Sequence, residues 1–164
     1  MTAATVSRAA ATKPSVQQLP LGHLAAAEFR RRQVRAREVV RNRGMTVAAA
    51  ERLLAPWAAI ACLCGADLPE LADRIEDWRV SPGAQVSIGE ARWLAADDLC
   101  PRPQWVPVLA AARDAALARF AADPSAANTA AATAIQRICI ALMHDANGCH
   151  IPPYRTPDAQ KVAA

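Results

Sequence analysis

The sequence predicts an all-α protein, a compact orthogonal bundle of about six helices, on three observations. Alanine, arginine and leucine, all strong helix formers, are abundant throughout the chain. Aromatic residues make up only 4% of it, and no stretch alternates apolar and polar residues as a half-buried strand does. Glycine and proline fall between segments of helical length. The 164 residues suit one domain, expected at 22–150 between flexible tails at 1–21 and 151–164.

The first two helices are expected to form a hairpin. The first covers about residues 24–43, and Gly44 after it can adopt the left-handed conformation that closes a helix. Thr46 is a good N-cap for the second helix, at about 47–64. The short connection therefore predicts a tight helix–turn–helix hairpin.

The second helix is expected to be the buried centre of the fold. Glu51 and Arg52 are its only charged residues, and a helix that is apolar on nearly every side is normally buried. Pro56 is expected to kink it, because proline lacks the backbone donor. The apolar row of this helix consists of Leu53, Trp57, Ile60, Ala61 and Cys64.

Four more helices are expected. Asp67 should cap a short third helix whose apolar side includes Ala72, and Ser87 begins a capping box that opens a fourth, ending near residue 98. A fifth helix covers about 104–122 with an apolar row that ends at Phe120, and a sixth follows residues 123–125. All four tryptophans fall in apolar positions and are expected in the core: Trp57, Trp78, Trp93 and Trp105.

Charge is distributed unevenly along the chain. Residues 1–44 carry nine basic and two acidic side chains, a net charge of +7, whereas residues 45–164 carry ten basic and thirteen acidic, a net charge of −3. Seven arginines lie between residues 30 and 43, and Glu28 and Glu38 offset only two of them, which leaves +5 over residues 28–44. A basic helix of this kind indicates an anionic partner.

The arginines of the first helix fall into rows when residues are placed at 100° intervals. An apolar row consists of Phe29, Ala36 and Val40. A row of arginines lies parallel to it, and two further arginines lie beside that row, on its far side from Phe29. The parallel row is Arg30, Arg37 and Arg41, and the two further arginines are Arg31 and Arg35. Glu28 can reach two arginines and Glu38 two more, at spacings of three or four residues. The residues expected to bind the anionic partner are Arg30, Arg31, Arg35, Arg37, Arg41 and Arg43.

Several functions fit such a helix. Because guanidinium groups pair well with phosphate, the leading interpretation is a non-enzymatic binding protein that engages nucleic-acid phosphates or an acidic protein surface. A structural or adaptor subunit of a larger assembly is the alternative. A helix-turn-helix DNA reader is not expected, because the second helix is too apolar to contact base edges. The arginines could instead form a solvated face, partly paired with Asp73, Glu76, Asp77, Asp97 and Asp98.

No residue pattern indicates catalysis, a cofactor, a small-molecule substrate or a membrane span. The five cysteines have no regular spacing, which favours buried thiols in a reducing compartment. One group has the chemistry of metal ligands, but its spacing does not suit zinc, so no metal is expected. That group is Cys139, His144, Cys149 and His150.

The hairpin also resembles a known pattern. Many small phage and prophage proteins of unassigned function contain R-R-x-V-Y-P-x-x-V-x-x-G-x-M-[ST]-x-x-x-A-x-R. The resemblance covers about residues 28–60, and it departs from the family at Tyr-Pro, where this chain has Arg35 and Ala36. It implies an origin in a phage or mobile element, and hence a place in the bacterial cytoplasm or in a virion, without implying a mechanism. The matching residues are Arg30 to Arg32, Val34, Val39, Arg43 to Thr46 and Ala50 to Arg52.

Overall fold

A computed structural model describes residues 15–80 and 86–143. Within these ranges the chain forms six α-helices and no strand, which confirms the all-α prediction. Residues 1–14 of the tail expected at 1–21 and the tail expected at 151–164 lie outside the described residues, as do His144, Cys149 and His150. The helices are α1 (Leu21–Arg41), α2 (Val47–Leu63), α3 (Pro69–Arg79), α4 (Ile88–Leu99), α5 (Arg102–Ala122) and α6 (Ala126–Met143).

Helix α2 is the centre of the bundle, as its composition predicts. Helices α1, α4 and α5 all pack against it, and every residue from 56 to 62 is buried. Pro56 lies inside α2, and the helix continues past it. The prediction for Leu53 is wrong: this residue is 61% exposed, because the first half of α2 lies outside the core and only Ala50 is buried among residues 47–55. The core surrounds the second half of the helix.

The outer helices pack in pairs around α2. Helix α3 lies on α4, α5 on α6, and α6 returns to α1. Trp93 is 57% exposed, contrary to expectation, because α4 turns Ala91 and Ala95 towards the core and Trp93 lies on the other side. Phe120 and Ala72 are also exposed rather than buried. Small side chains let α4 approach α2 closely, so alanine and not the larger residue marks the core side.

The helix caps were predicted in part. Thr46 accepts a hydrogen bond from the Ala49 amide at 3.2 Å, and Ser87 accepts one from the Glu90 amide at 3.2 Å, as expected for N-caps. Asp67 does not cap α3. The N-cap position is Leu68, which makes no side-chain bond, and Pro69 begins the helix.

The turn between α1 and α2 differs from the sequence prediction in one residue. The left-handed position belongs to Arg43, with φ of 55°, and not to Gly44. The Arg43 amide donates to the Val40 carbonyl at 3.0 Å, and the Gly44 amide donates to the Val39 carbonyl at 2.9 Å. These two bonds define a Schellman motif that starts one residue earlier than expected. Gly44 is still needed, because a Cβ there would lie 2.9 Å from Val39 Cγ1.

Two arginines hold backbone segments to the bundle. Arg137 of α6 donates from Nη1 to the carbonyls of Val16 at 2.7 Å and Leu19 at 2.9 Å, so part of the stretch predicted as an N-terminal tail packs on the helices. Arg92 of α4 donates to the carbonyls of Cys62 at 3.3 Å and Ala66 at 3.0 Å, where α2 ends. These two guanidinium groups therefore serve the fold.

Candidate anion-binding surface

The first part of helix α1 is buried on several sides, whereas its second half rests on the bundle by a narrow side and leaves the remaining surface to solvent. Phe29 and Ala36 are buried, as the apolar row predicts. All six arginines named from the sequence are exposed. Five of them make no ion pair with any residue that the structure describes: Arg30, Arg35, Arg37, Arg41 and Arg43.

The other two arginines of α1 pair with Glu28, a residue that is only 6% exposed. Arg31 Nη2 donates to Glu28 Oε2 at 2.7 Å, and Arg32 Nη1 donates to the same oxygen and to the Glu28 carbonyl. The Arg32 guanidinium also stacks on Trp57, 3.3 Å from the ring centroid. Burial lowers the pKa of Arg32 from its usual value, Glu28 opposes that shift, and Arg31 and Arg119 add to it by charge repulsion. Arg32 is thus a structural cation between α1 and α2.

The acidic residues of the chain do not neutralise the remaining arginines. Glu38 is exposed and forms no ion pair with the described arginines around it, unlike the expectation for Arg35 and Arg41. Across the described ranges, no ion pair joins α1 to an acidic residue of α3 or α4, since Glu76 pairs with Arg79 and Asp98 accepts from Trp78 Nε1. The one polar link is a 3.4 Å bond from Gln33 Nε2 to Glu70 Oε1. The structure therefore does not show the alternative in which the α1 arginines pair with acidic residues of α3 and α4.

The exposed arginines lie on two sides of α1. Arg30, Arg37 and Arg41 form the outer row, the same row that the sequence indicates. Arg31 and Arg35 form the inner row, which lies about 120° around the helix axis from the outer row. Between the two rows runs a ridge that contains Val34 and Glu38, both exposed.

The inner row borders a groove of about 750 Å³ between α1, α5 and α6, here called the arginine groove. Three arginines line it from α1, namely Arg31, Arg32 and Arg35, together with Val34 and Glu38 of the ridge. Arg119 lines it from α5. The opposite walls are formed largely by small side chains, namely Ala112, Ala115, Ala127 and Ala131, with Asn128 at one end. The groove exists because alanines face arginines there, and neither fills the space between the helices.

Sequence reasoning missed Arg119 and Asn128 as neighbours of the arginine helix. A weak signal for Arg119 was present, since Ala112, Ala115 and Arg119 lie at i, i+3 and i+7 on one side of α5. Nothing in the sequence says which helix that side faces, so the convergence of α1 and α5 required the structure.

Other chemistry is absent from the parts of the chain that the structure describes. No group of three or more histidine, cysteine, aspartate or glutamate side chains in these ranges is placed to hold a metal ion. Cys139 is buried on α6, where burial raises the pKa of its thiol to about 11, and burial raises the pKa of Cys64 to about 12. Among the described helices, none is both long and apolar enough to cross a membrane.

Comparison with known proteins gives no family for the chain: no protein-family model, curated protein or solved structure matches it significantly.

Proposed function

We propose that the protein binds nucleic acid through the exposed side of α1, by contacts to phosphates. One observation supports the proposal above all others. Five arginines of a single helix and its turn are exposed and form no ion pair within the described part of the chain. A phosphate backbone is the partner that such a surface suits best.

Several of the like charges on α1 lie close enough together to be unfavourable for the helix itself. Arg31 and Arg35, and likewise Arg37 and Arg41, are like charges four residues apart, and each such pair destabilises a helix by about 0.2–0.5 kcal/mol. Arg43 adds a further cost, because it occupies the left-handed region that favours glycine. Residues that are unfavourable for folding are readily explained by binding.

The exposed side of α1 has few features of a protein–protein interface. Such interfaces are usually centred on aromatic or aliphatic anchors that fill a pocket. The large apolar side chains exposed on or beside it are Val34, Val47 and Leu53, and none of these is aromatic. Affinity would therefore come from charge, which is how proteins bind nucleic-acid backbones. An acidic protein partner is the second possibility, and the experiment below distinguishes it.

The outer row has the length of a phosphate-binding surface. Between Arg30 and Arg41 the helix rises about 16 Å, and Arg37 lies between them on the same side. The inner row and the Val34–Glu38 ridge face the groove that α5 and α6 border, so they lie beside this surface and not between two phosphate strands. Arginine contacts of this kind go to phosphates and not to base edges, so binding should depend little on sequence.

The test is the binding of a labelled random DNA duplex, and of an RNA duplex of equal length, followed by fluorescence anisotropy. The salt concentration is raised from about 50 to 200 mM, and five phosphate contacts should give a slope of about −4 to −5 in log K against log salt for DNA. The double substitution Arg37→Gln/Arg41→Gln should weaken binding and reduce the slope by about two.

The matched control is Arg52→Gln/Arg74→Gln, which removes two exposed arginines elsewhere and changes the net charge equally. It should leave affinity almost unchanged. Equal losses in both variants would mean that only total charge matters and would refute a role for α1. Absence of binding at the lowest salt would refute the proposal for nucleic acid, and an acidic protein would then be sought with the same pair of variants.

A further inference from the structure

The arginine groove is a second place where positive charge is concentrated, and it differs from the outer row because its cations come from two helices. We propose that it binds a phosphate group of about two negative charges, such as a phosphate monoester. The inference goes beyond nucleic-acid binding by the exposed side of α1 and does not depend on it. The two surfaces share Arg35, whereas Arg37 and Arg41 belong only to the outer row and Arg119 only to the groove.

The charge in the groove matches such a group. Four guanidinium groups, of Arg31, Arg32, Arg35 and Arg119, stand against two carboxylates, of Glu28 and Glu38, which leaves two positive charges. A phosphate monoester carries about −1.5 to −2 charges near neutral pH. One such group would therefore neutralise the groove.

The groove also holds two cations, Arg35 and Arg119, that have no counter-ion within the described part of the chain. Arg119 lies near enough to Arg32 to depress its pKa across the helix interface. Within the described residues, Arg35 and Arg119 form no ion pair, and Glu28 is already occupied by Arg31 and Arg32. An anion between α1 and α5 would relieve this repulsion, and guanidinium groups can hold phosphate oxygens by paired hydrogen bonds.

Space and the local helix dipole support the same ligand. The groove volume of about 750 Å³ lies within the usual range for small-ligand sites, about 300–1,000 Å³. Ala127 and Asn128 belong to the first turn of α6, so the N-terminal end of that helix borders the groove. The N-terminus of a helix carries partial positive charge and favours anions. The alanine walls leave room for a phosphate and for part of the molecule attached to it.

Two sources can supply this chemistry, a free nucleoside phosphate or the 5′-phosphate at the end of a nucleic-acid strand. The experiment uses the full chain and isothermal titration calorimetry with inorganic pyrophosphate and with ATP. In parallel, the affinity of a short single strand with a 5′-phosphate is compared with that of the same strand with a 5′-hydroxyl. We expect saturable binding of at least one phosphate probe with Kd below about 1 mM.

Two variants locate the site. Arg119→Gln removes the cation of α5 and should weaken the phosphate probe about tenfold or more, because a charge-assisted hydrogen bond is lost. Ala115→Glu keeps every arginine but adds a carboxylate to the exposed groove wall, and it should weaken the probe to a similar degree. Both positions are exposed or line the open groove, so both variants should fold, which circular dichroism verifies. Arg37→Gln/Arg41→Gln, on the outer row, is the control and should retain the probe.

Each outcome has a defined meaning. Binding of ATP or pyrophosphate alone indicates a free phosphate ligand, and preference for the 5′-phosphorylated strand alone indicates a strand end; either supports the site. No binding of any probe, or binding that Arg119→Gln and Ala115→Glu leave unchanged, overturns it. The effect of Arg37→Gln/Arg41→Gln on duplex binding is measured separately from the binding of the phosphate probes. The experiments therefore distinguish a failure of the phosphate-site proposal from a failure of the nucleic-acid proposal.

Discussion

Replacement of Arg43 by glycine should stabilise the protein, even though it removes a side chain from the proposed binding surface. Arg43 has φ of 55° and is the left-handed residue of the motif that ends α1. A side chain in this region costs about 1–2 kcal/mol relative to the right-handed conformation, and glycine does not bear that cost. Glycine in turn makes the unfolded chain more flexible, which costs about 0.4–1 kcal/mol. The net gain should be about 0.5–1 kcal/mol.

Gly65 provides a control for this reasoning, because it ends α2 in the same way. Its φ is 76°, its amide donates to the Cys62 carbonyl at 3.1 Å, and the Ala66 amide donates to the Ala61 carbonyl at 2.9 Å. A Cβ at Gly65 would have no atom within 4 Å, so Gly65→Ala changes only the backbone preference. It should destabilise the protein by about the amount that Arg43→Gly gains, about 0.5–1 kcal/mol.

Urea unfolding of the two variants at one salt concentration measures both effects. The two changes in unfolding free energy should be similar in size and opposite in sign. If Gly65→Ala is destabilising while Arg43→Gly is neutral or also destabilising, the Arg43 side chain contributes to stability, and the argument that it is retained for binding is refuted. In the anisotropy assay, Arg43→Gly should bind the DNA duplex more weakly than the original chain does.

Three further predictions concern the interior. Glu28→Gln leaves Arg32 without a counter-charge beside Trp57 and should lower the free energy of unfolding, measured with urea, by about 2 kcal/mol. Arg31→Gln removes only an exposed partner of Glu28 and should lower it by less than about 1 kcal/mol. Equal losses in the two variants would contradict the central role of Glu28. Gly22→Ala places a Cβ 2.6 Å from the Gly65 carbonyl oxygen and should lower the free energy of unfolding by about 1–3 kcal/mol. Gly89→Ala is the control, because its Cβ meets nothing within 4 Å, and it should be neutral or stabilising by up to about 1 kcal/mol. Thermal unfolding measures both effects. Burial raises the pKa of the Cys64 thiol to about 12 and that of the Cys139 thiol to about 11. As the pH rises from about 9, the unfolded chain therefore loses these protons before the folded protein does. The free energy of unfolding should fall by up to about 1.4 kcal/mol per pH unit for each thiol, until the folded protein also titrates. Cys64→Ala should reduce that slope between pH 9 and 11, and an unchanged slope would show that other groups cause it.

The sequence predicts the helices well because their signals are local. Ser87 and Thr46 bind amides three residues away, and the apolar surface of α2 is visible in its composition, so neither prediction needs a tertiary structure. The turn after α1 shows the limit of such signals. The sequence favours Gly44 as the left-handed residue, but the structure has Arg43 in that conformation, and Gly44 instead avoids a close contact with the Val39 side chain.

Predictions that depend on packing between helices were less successful. Trp93 looked like a core residue because it is large and apolar, yet α2 and α4 approach through alanines, and the large side chain points to solvent. The arginines of α1 could be named from sequence, because seven cations in one helix cannot all be buried. Arg119 could not, because its role depends on the position of α5 beside α1.

The bonds from Arg137 to Val16 and Leu19 have a consequence for protein engineering. They join positions 121 and 118 residues apart and so bring the start of the described chain to α6. Met143, where α6 ends, is only six residues, or about 9 Å of helix, beyond Arg137. A short flexible linker can therefore connect residue 15 to residue 143, and new termini can be opened between α5 and α6 at residues 123–125. Such a circular permutant keeps α1, α2 and their turn in one uninterrupted segment, and the domain can equally be inserted as a cassette into a surface loop of another protein.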